Sequence, residues 1–135
     1  MKVLAALVLV FAVSGCIRHS PDARPVTFDS DEVTLSAEQR RTDMVLLRLR
    51  NGSDNAVGYN LCATAIERED GVWSPLPSDL VCTMELRTLA PGATATFERE
   101  LSTAVTPGRY RFVTSVEAPL GSRSIGVISN SVDIQ

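Results

Sequence analysis

The residues best suited to covalent, metal or acid–base chemistry in this 135-residue chain are three cysteines, one histidine and some paired carboxylates. His19, the single histidine, lies in IRHSPDARP, a polar stretch without periodicity, and reads as a solvated linker residue rather than a base or ligand. Lys2 is the only lysine. A nucleophile needs a base beside it, and beyond residue 19 only carboxylates remain for that role. Glu67/Glu69 and Glu98/Glu100 are i,i+2 pairs, which share one face of a strand. Facing carboxylates can hydrolyse glycosides, but a solvated outer face is the simpler account of these. The cluster Asp29-Ser30-Asp31-Glu32 has the oxygen ligands Ca²⁺ takes, yet lacks the spaced pattern of a calcium loop and reads as a wet turn. Cys62 and Cys82 do not have a zinc spacing, and no histidine follows to complete a site. No catalytic residue, metal or cofactor is assigned on these grounds, and a non-enzyme is expected.

The N-terminus explains the third cysteine. Met1-Lys2 is a short positive region, and Val3 to Val13 is an unbroken apolar run about half as long as the ~20 residues that span a bilayer. It has the form of the apolar core of a secretory signal. It ends in Val13-Ser14-Gly15-Cys16, which resembles the lipobox of bacterial lipoproteins: an aliphatic residue, two small ones, then Cys. The alternative is an ordinary signal peptide, or an uncleaved anchor, with an incidental cysteine. The resemblance implies cleavage before Cys16, a diacylglyceryl group on its sulfur and an acyl chain such as palmitate on its amine. At ~0.8 kcal/mol per buried methylene, two or more chains hold a protein stably on a membrane. Ile17, where enteric sorting rules would read an Asp as retention, implies the outer membrane. Residues 1–15 are then the signal and 16–25 the lipidated Cys and a tether reaching roughly 25–30 Å if extended. Residues 26–135 are the domain.

The elements that must position any site are strands. With 13 Lys and Arg against 16 Asp and Glu, a formal net charge of −3, the chain has the wrong sign for nucleic acid. Ala93, Ala95, Phe97 and Leu101 fall on one parity of LAPGATATFEREL, and Thr94, Thr96, Glu98 and Glu100 on the other. Tyr110, Phe112, Thr114 and Val116 alternate likewise with Arg109, Arg111, Val113 and Ser115. A period of two with turns at Ala90-Pro91-Gly92 and Thr106-Pro107-Gly108 means half-buried strands. Arg109 and Arg111 are expected in solvent. Pro107-Gly108-Arg109-Tyr110 has the form of a tyrosine corner, where a Tyr hydroxyl returns to the upstream backbone between two sheets.

Further strands are predicted at Val26–Phe28 with Val33–Ser36 (one broken strand), Met44–Arg50, Val57–Ile66, Val72–Trp73, Cys82–Leu89 and Ser124–Ile134. Asn51 to Asn55 is a turn by composition, and Glu67 to Gly71 ends in an Asp-Gly hairpin step. A bulge near Ser129-Asn130 would reconcile the two apolar parities of the last strand. Pro75 and Pro77 exclude a central strand. About seven short strands and no helical period predict an all-β antiparallel sandwich.

Here the chain resembles the bacterial immunoglobulin-like domains of envelope proteins. The residues that carry the likeness are Asn51 and its turn, Tyr59, Leu61, Gly71-Val72-Trp73, Leu89-Ala90-Pro91-Gly92 and Pro107 to Phe112. The resemblance implies a fold and no particular activity. Antibody-type domains bridge their sheets between strands B and F beside a Trp, and that part of the pattern is absent here.

Export puts Cys62 and Cys82 in an oxidising space, where a pair is most simply a disulfide, with two inert thiols or a redox role as alternatives. Closing about twenty residues would stabilise by roughly 3 kcal/mol. Trp73, beside a turn and a proline-rich loop, reads as a lid on the core edge or, alternatively, a recognition anchor. The function expected is a non-enzymatic, lipid-anchored envelope protein that displays an immunoglobulin-like binding or structural module. It would be held to the membrane through Cys16 and engage an envelope protein partner. The alternative is a proteinase-inhibitor domain of similar fold, which the Trp, Pro-Gly and Gly-x-Tyr landmarks also resemble. The segment Ser74 to Val81 would be its preorganised loop.

Overall fold

The computed structural model describes residues 32–102 and 105–135. The signal, Cys16, the tether with His19, the Val26–Phe28 piece and Asp29 to Asp31 lie outside the described residues.

Ten strands form two antiparallel sheets among the described residues. They are β1 (Val33–Arg41), β2 (Met44–Asn51), β3 (Val57–Tyr59), β4 (Ala65–Asp70), β5 (Val72–Pro75), β6 (Arg87–Leu89), β7 (Thr94–Glu100), β8 (Gly108–Glu117), β9 (Ser124–Ile128) and β10 (Val132–Ile134). The smaller sheet has the order β1-β2-β7. The larger is built on β8, the ten-residue strand that opens after Pro107. One side of β8 is covered by β4 and then β3, the other by β10 and then β9; β5 and β6 add outer edges. This is an antiparallel β-sandwich, as the period-two patterning predicts, and its immunoglobulin-like build is the one the family resemblance implies.

Alternation decides which side chains meet between the sheets. Val33, Leu35 and Ala37 of β1 and Val45, Leu47 and Leu49 of β2 turn inward. They face Val57, Ile66, Tyr110, Phe112, Val116, Val127 and Ile134 from the larger sheet. Phe112 is fully buried at its centre, so truncation to Ala would cost about 3–5 kcal/mol.

Several elements differ from the sequence reading in extent. The first strand runs on to Arg41, because β2 offers ladder partners along its length, from Val33↔Asn51 to Arg41↔Met44. The predicted Val57–Ile66 strand is broken by a 3₁₀ turn at Leu61–Ala63, so that β3 and β4 occupy successive lengths of the same side of β8. Only Arg87–Leu89 of the stretch Cys82–Leu89 is strand.

Turn chemistry sets the ends. Gly71 between β4 and β5, and Gly92 before β7, have φ of +72°, a left-handed conformation that costs a residue with a Cβ. The chain leaves the sheet between β9 and β10, where Ser129 and Asn130 substitute side chains for ladder groups. The Ser129 hydroxyl accepts from Phe112 N–H at 2.9 Å, and the Asn130 amide exchanges two 2.9 Å bonds with the backbone of Ala37. The second pair ties the larger sheet to β1 of the smaller.

Asn51 closes the other end of the sandwich. It is fully buried, and its amide nitrogen reaches the carbonyls of Asn55 (2.7 Å), Leu89 (3.1 Å) and Ala90 (3.2 Å). Its side-chain oxygen accepts from the Ser53 N–H (3.1 Å) and hydroxyl (2.7 Å).

Candidate functional site

Among the described residues, strand β7 carries the one charged side chain that is buried in the interior. Alternation turns Ala95, Phe97 and Leu101 toward the core, and Arg99 lies on the same parity, 2% exposed. Its guanidinium reaches the place where the β3–β4 strand is broken. Nη1 donates to the carbonyls of Thr64 (2.7 Å) and Cys62 (3.2 Å), which the 3₁₀ turn leaves without ladder partners. Nη2 donates to the Ser78 hydroxyl at 3.1 Å, and Nε–H has no partner. No carboxylate among the described residues forms an ion pair with it. Burial holds the guanidinium below the usual arginine pKa, although arginine remains charged at any ordinary pH. A cation held by neutral acceptors alone, with a donor left over, is an uncommon arrangement in a protein interior.

Arg99 forms part of the wall of a cleft of about 490 Å³. The volume lies within the range of small-molecule sites. One wall is the end of β7 and the residues after it, Leu101 and Val105; the other is the segment carrying Leu76, Leu80 and Val81, with Ile66 behind. Asp79 and Glu100 also border it. The second wall is secured at both ends. Leu76 N–H donates to the Ile66 carbonyl at 2.8 Å, and Cys82 is bridged to Cys62 with a Cα–Cα distance of 5.8 Å. The disulfide thus joins the segment to the same 3₁₀ turn whose carbonyls hold Arg99.

The ladders also fix where the cleft sits. Glu100 is opposite Met44, beside the Arg41–Met44 hairpin turn, whereas Glu32 enters at the other end, its carbonyl bonded to Gly52 N–H. Nine residues of β1 separate the two ends, roughly 25–30 Å. The cleft opens at the end of the sandwich remote from Glu32.

Of the other residues singled out from the sequence, Glu100 borders this cleft, and Tyr110, Trp73, Arg109, Arg111, Glu67 and Glu69 do not line it. Tyr110 is buried, and its hydroxyl donates to the Thr106 carbonyl at 2.5 Å, pinning the turn before β8. Trp73 is half-buried on the outer face of the larger sheet, opposite Glu69, rather than over the core. It carries Arg111 above its ring at 4.5 Å. Arg111 is therefore not the solvated side chain that strand parity implies. Its side chain is 24% exposed and its Nε donates to Glu67 Oε2 at 2.6 Å, with Glu67 20% exposed. Parity put Arg111 on the outer face, but a neighbouring Trp and Glu can shelter a long side chain there. Arg109 is exposed, paired with Glu69 at 3.5 Å and with Ser131 Oγ at 2.8 Å. Glu98 and Glu100 are exposed. Arg99 itself was missed, although its position between Phe97 and Leu101 on an inward parity is a signal visible in the sequence.

No protein-family model matches the chain, and no curated protein matches it in sequence. Among solved structures, it is similar to the archaellum periplasmic stator protein FlaG from Sulfolobus acidocaldarius, at 14% identity and a TM-score of 0.45 over 71% of this chain and 98% of that one. A complex of FlaF and FlaG from the same organism matches at 13% identity and a TM-score of 0.46, over 72% of this chain and 87% of that one. These are likenesses of strand arrangement.

Proposed function

We propose that the chain is a lipid-anchored, non-enzymatic protein of the bacterial cell envelope whose immunoglobulin-like sandwich is a binding module, with the Arg99 cleft as its binding site. The observation that carries this reading is the position of the cleft. It opens at the end of the sandwich away from Glu32, the direction in which a membrane tether would leave its face clear. Cys16 would be the lipidated residue, residues 16–25 the spacer, and the outer membrane the surface, as the lipobox resemblance implies. A non-enzyme agrees with a chain that has no histidine or lysine beyond residue 19. The cleft sets aliphatic side chains beside a few polar and charged ones, which suits binding.

One observation favours the proteinase-inhibitor alternative. Val81 and Met84, each 96% exposed, project from the segment held by Cys62–Cys82. Against it, Leu76 and Ser78 of the proposed inhibitory loop are tied to Ile66 and Arg99, so that stretch forms a cleft wall.

Mass spectrometry of the mature protein tests the anchor: acyl groups on Cys16 are expected, and an unmodified Cys16 would overturn it. A photo-crosslinking residue at Leu80, beside the cleft, and another at Ile128, on the far outer face, test the module in intact cells. A discrete adduct from Leu80 and none from Ile128 is expected. A crosslink to a protease would move the assignment to the inhibitor, and no adduct from Leu80 would end the binding reading.

A further inference from the structure

The unfinished hydrogen bonding of Arg99 says what chemistry its cleft takes. A guanidinium binds a carboxylate best with two parallel N–H···O bonds along one edge, and the edge made by Nε and Nη2 is one of these. In this chain Nη1 is committed to the Cys62 and Thr64 carbonyls, and that edge is what remains. Of its two donors, Nε–H is unpartnered and Nη2 meets only the neutral hydroxyl of Ser78. Ser78 belongs to an exposed segment between Pro77 and Asp79 and can yield its place without breaking a ladder.

Three further features narrow the ligand. The apolar part of the cleft wall is aliphatic, with no aromatic ring among the described residues, so neither sugars nor nucleobases find a stacking surface there. Asp79 and Glu100 at its border oppose a multiply charged anion such as a phosphate more than a single charge. Its volume, about 490 Å³, accommodates a short hydrocarbon chain as well as a head group. We infer that the cleft binds a small aliphatic carboxylate, its head group replacing the Ser78 hydroxyl on the Nε/Nη2 edge of Arg99 and its chain lying between Leu76, Leu80 and Leu101. The inference rests on the proposed reading of this cleft as the binding site. Once bound, the carboxylate supplies the counter-charge that the interior lacks. A bond with both partners ionised, and a second one to Nε–H, then replaces a bond in which only the donor is charged.

The test is a titration followed through the arginine Nε–Hε signals of the ¹⁵N-labelled mature chain, anchored in phosphatidylcholine nanodiscs. Sodium octanoate is the probe, 1-octanol its uncharged match, and a tetrapeptide with a free C-terminal leucine the macromolecular alternative. A saturable shift of the Arg99 signal with octanoate and none with octanol is expected. Ser78→Asp places a carboxylate from the chain itself against the same edge and should weaken octanoate at least about tenfold, or roughly 1.4 kcal/mol. Ser78→Asn should leave binding within about threefold. Ser78 is exposed, so neither variant depends on the chain tolerating loss of Arg99. An equal response to octanol, no saturable shift with any probe, or an unchanged affinity in Ser78→Asp would overturn the inference. A response to the peptide alone would overturn the small-molecule assignment and put a chain terminus in the cleft. The titration uses the purified chain in nanodiscs and needs no cellular partner. A failed Leu80 crosslink with a positive titration therefore refutes display in the cell, and the reverse refutes the carboxylate chemistry.

Discussion

Substituting Asn51 probes the end of the sandwich from which the whole architecture is hung. In Asn51→Ala the side-chain amide is lost from between Ser53, Asn55, Leu89 and Ala90. Two hydrogens on Nδ2 serve three carbonyls, so no more than two of those bonds are strong at one time. Asn55 and Ala90 are exposed and their carbonyls can turn to water, but Ser53 and Leu89 are buried and remain dry. A buried group left unsatisfied costs about 1–3 kcal/mol. The Ser53 hydroxyl keeps the Asn55 carbonyl as an acceptor at 3.0 Å, so the Ser53 N–H and the Leu89 carbonyl are the groups left over, and they put the loss at about 2–4 kcal/mol, a large part of a typical domain's stability. Asn51→Asp keeps the size and changes the chemistry. Its carboxylate would face three carbonyl oxygens, which raises the carboxyl pKa in the folded state above its unfolded value near 3.9. A group whose pKa is raised by folding contributes stability below the unfolded pKa and loses it as pH rises through the folded one. The deficit of Asn51→Asp relative to wild type should therefore be smallest below about pH 4 and grow toward neutrality. Urea melts of wild type and both variants across that range measure this. An Asn51→Ala loss under about 1 kcal/mol, or an Asn51→Asp deficit that does not grow with pH, would refute the account of the hub.

Three further outcomes are expected. Arg111→Ala should cost about 1–2 kcal/mol and change Trp73 fluorescence, since it removes both a sheltered pair with Glu67 and a cation over a ring, whereas exposed Arg109→Ala should cost about 0.5 kcal/mol or less; equal losses would contradict the outer-face cluster. Tyr110→Phe should lower stability by about 1–2 kcal/mol in the same melts by removing the donor to Thr106, and a neutral result would mean that bond contributes nothing. Replacing both Cys62 and Cys82 with Ala should cost about 3 kcal/mol and abolish the sensitivity of the wild-type melt to reductant; an unchanged midpoint would show that the closed loop constrains little.

Much of this molecule is decided by local pattern. Period-two alternation in Met44–Arg50, Ala93–Leu101 and Tyr110–Val116 was enough to assign strands and faces, because a pleated strand has only two sides. Two opposed apolar parities in Ser124–Ile134 implied a break, and the chain leaves the ladder at Ser129–Ser131. The cysteine pair is legible from its even number together with the export that the N-terminal pattern implies, and Cys62 is bonded to Cys82. Asn51 was legible only as a turn former, since composition cannot say that the turn folds inward over its own amide.

What alternation cannot express is which outer-face neighbours lie close, and how a segment without a ladder is laid down. Arg111 is sheltered because the β4–β5 hairpin carries Glu67 and Trp73 to its side of β8. The place of Arg99 on an inward parity can be read in Phe97-Glu98-Arg99-Glu100-Leu101. That its charge meets only carbonyls and a hydroxyl depends on a broken strand more than thirty residues earlier in the chain. That a cleft exists beside it depends on Leu76 to Val81 being tied back by the bonds of Leu76 to Ile66 and of Ser78 to Arg99 and by one disulfide. These are contacts between distant parts of the chain, and their closure is a property of the packed whole rather than of any local run of residues.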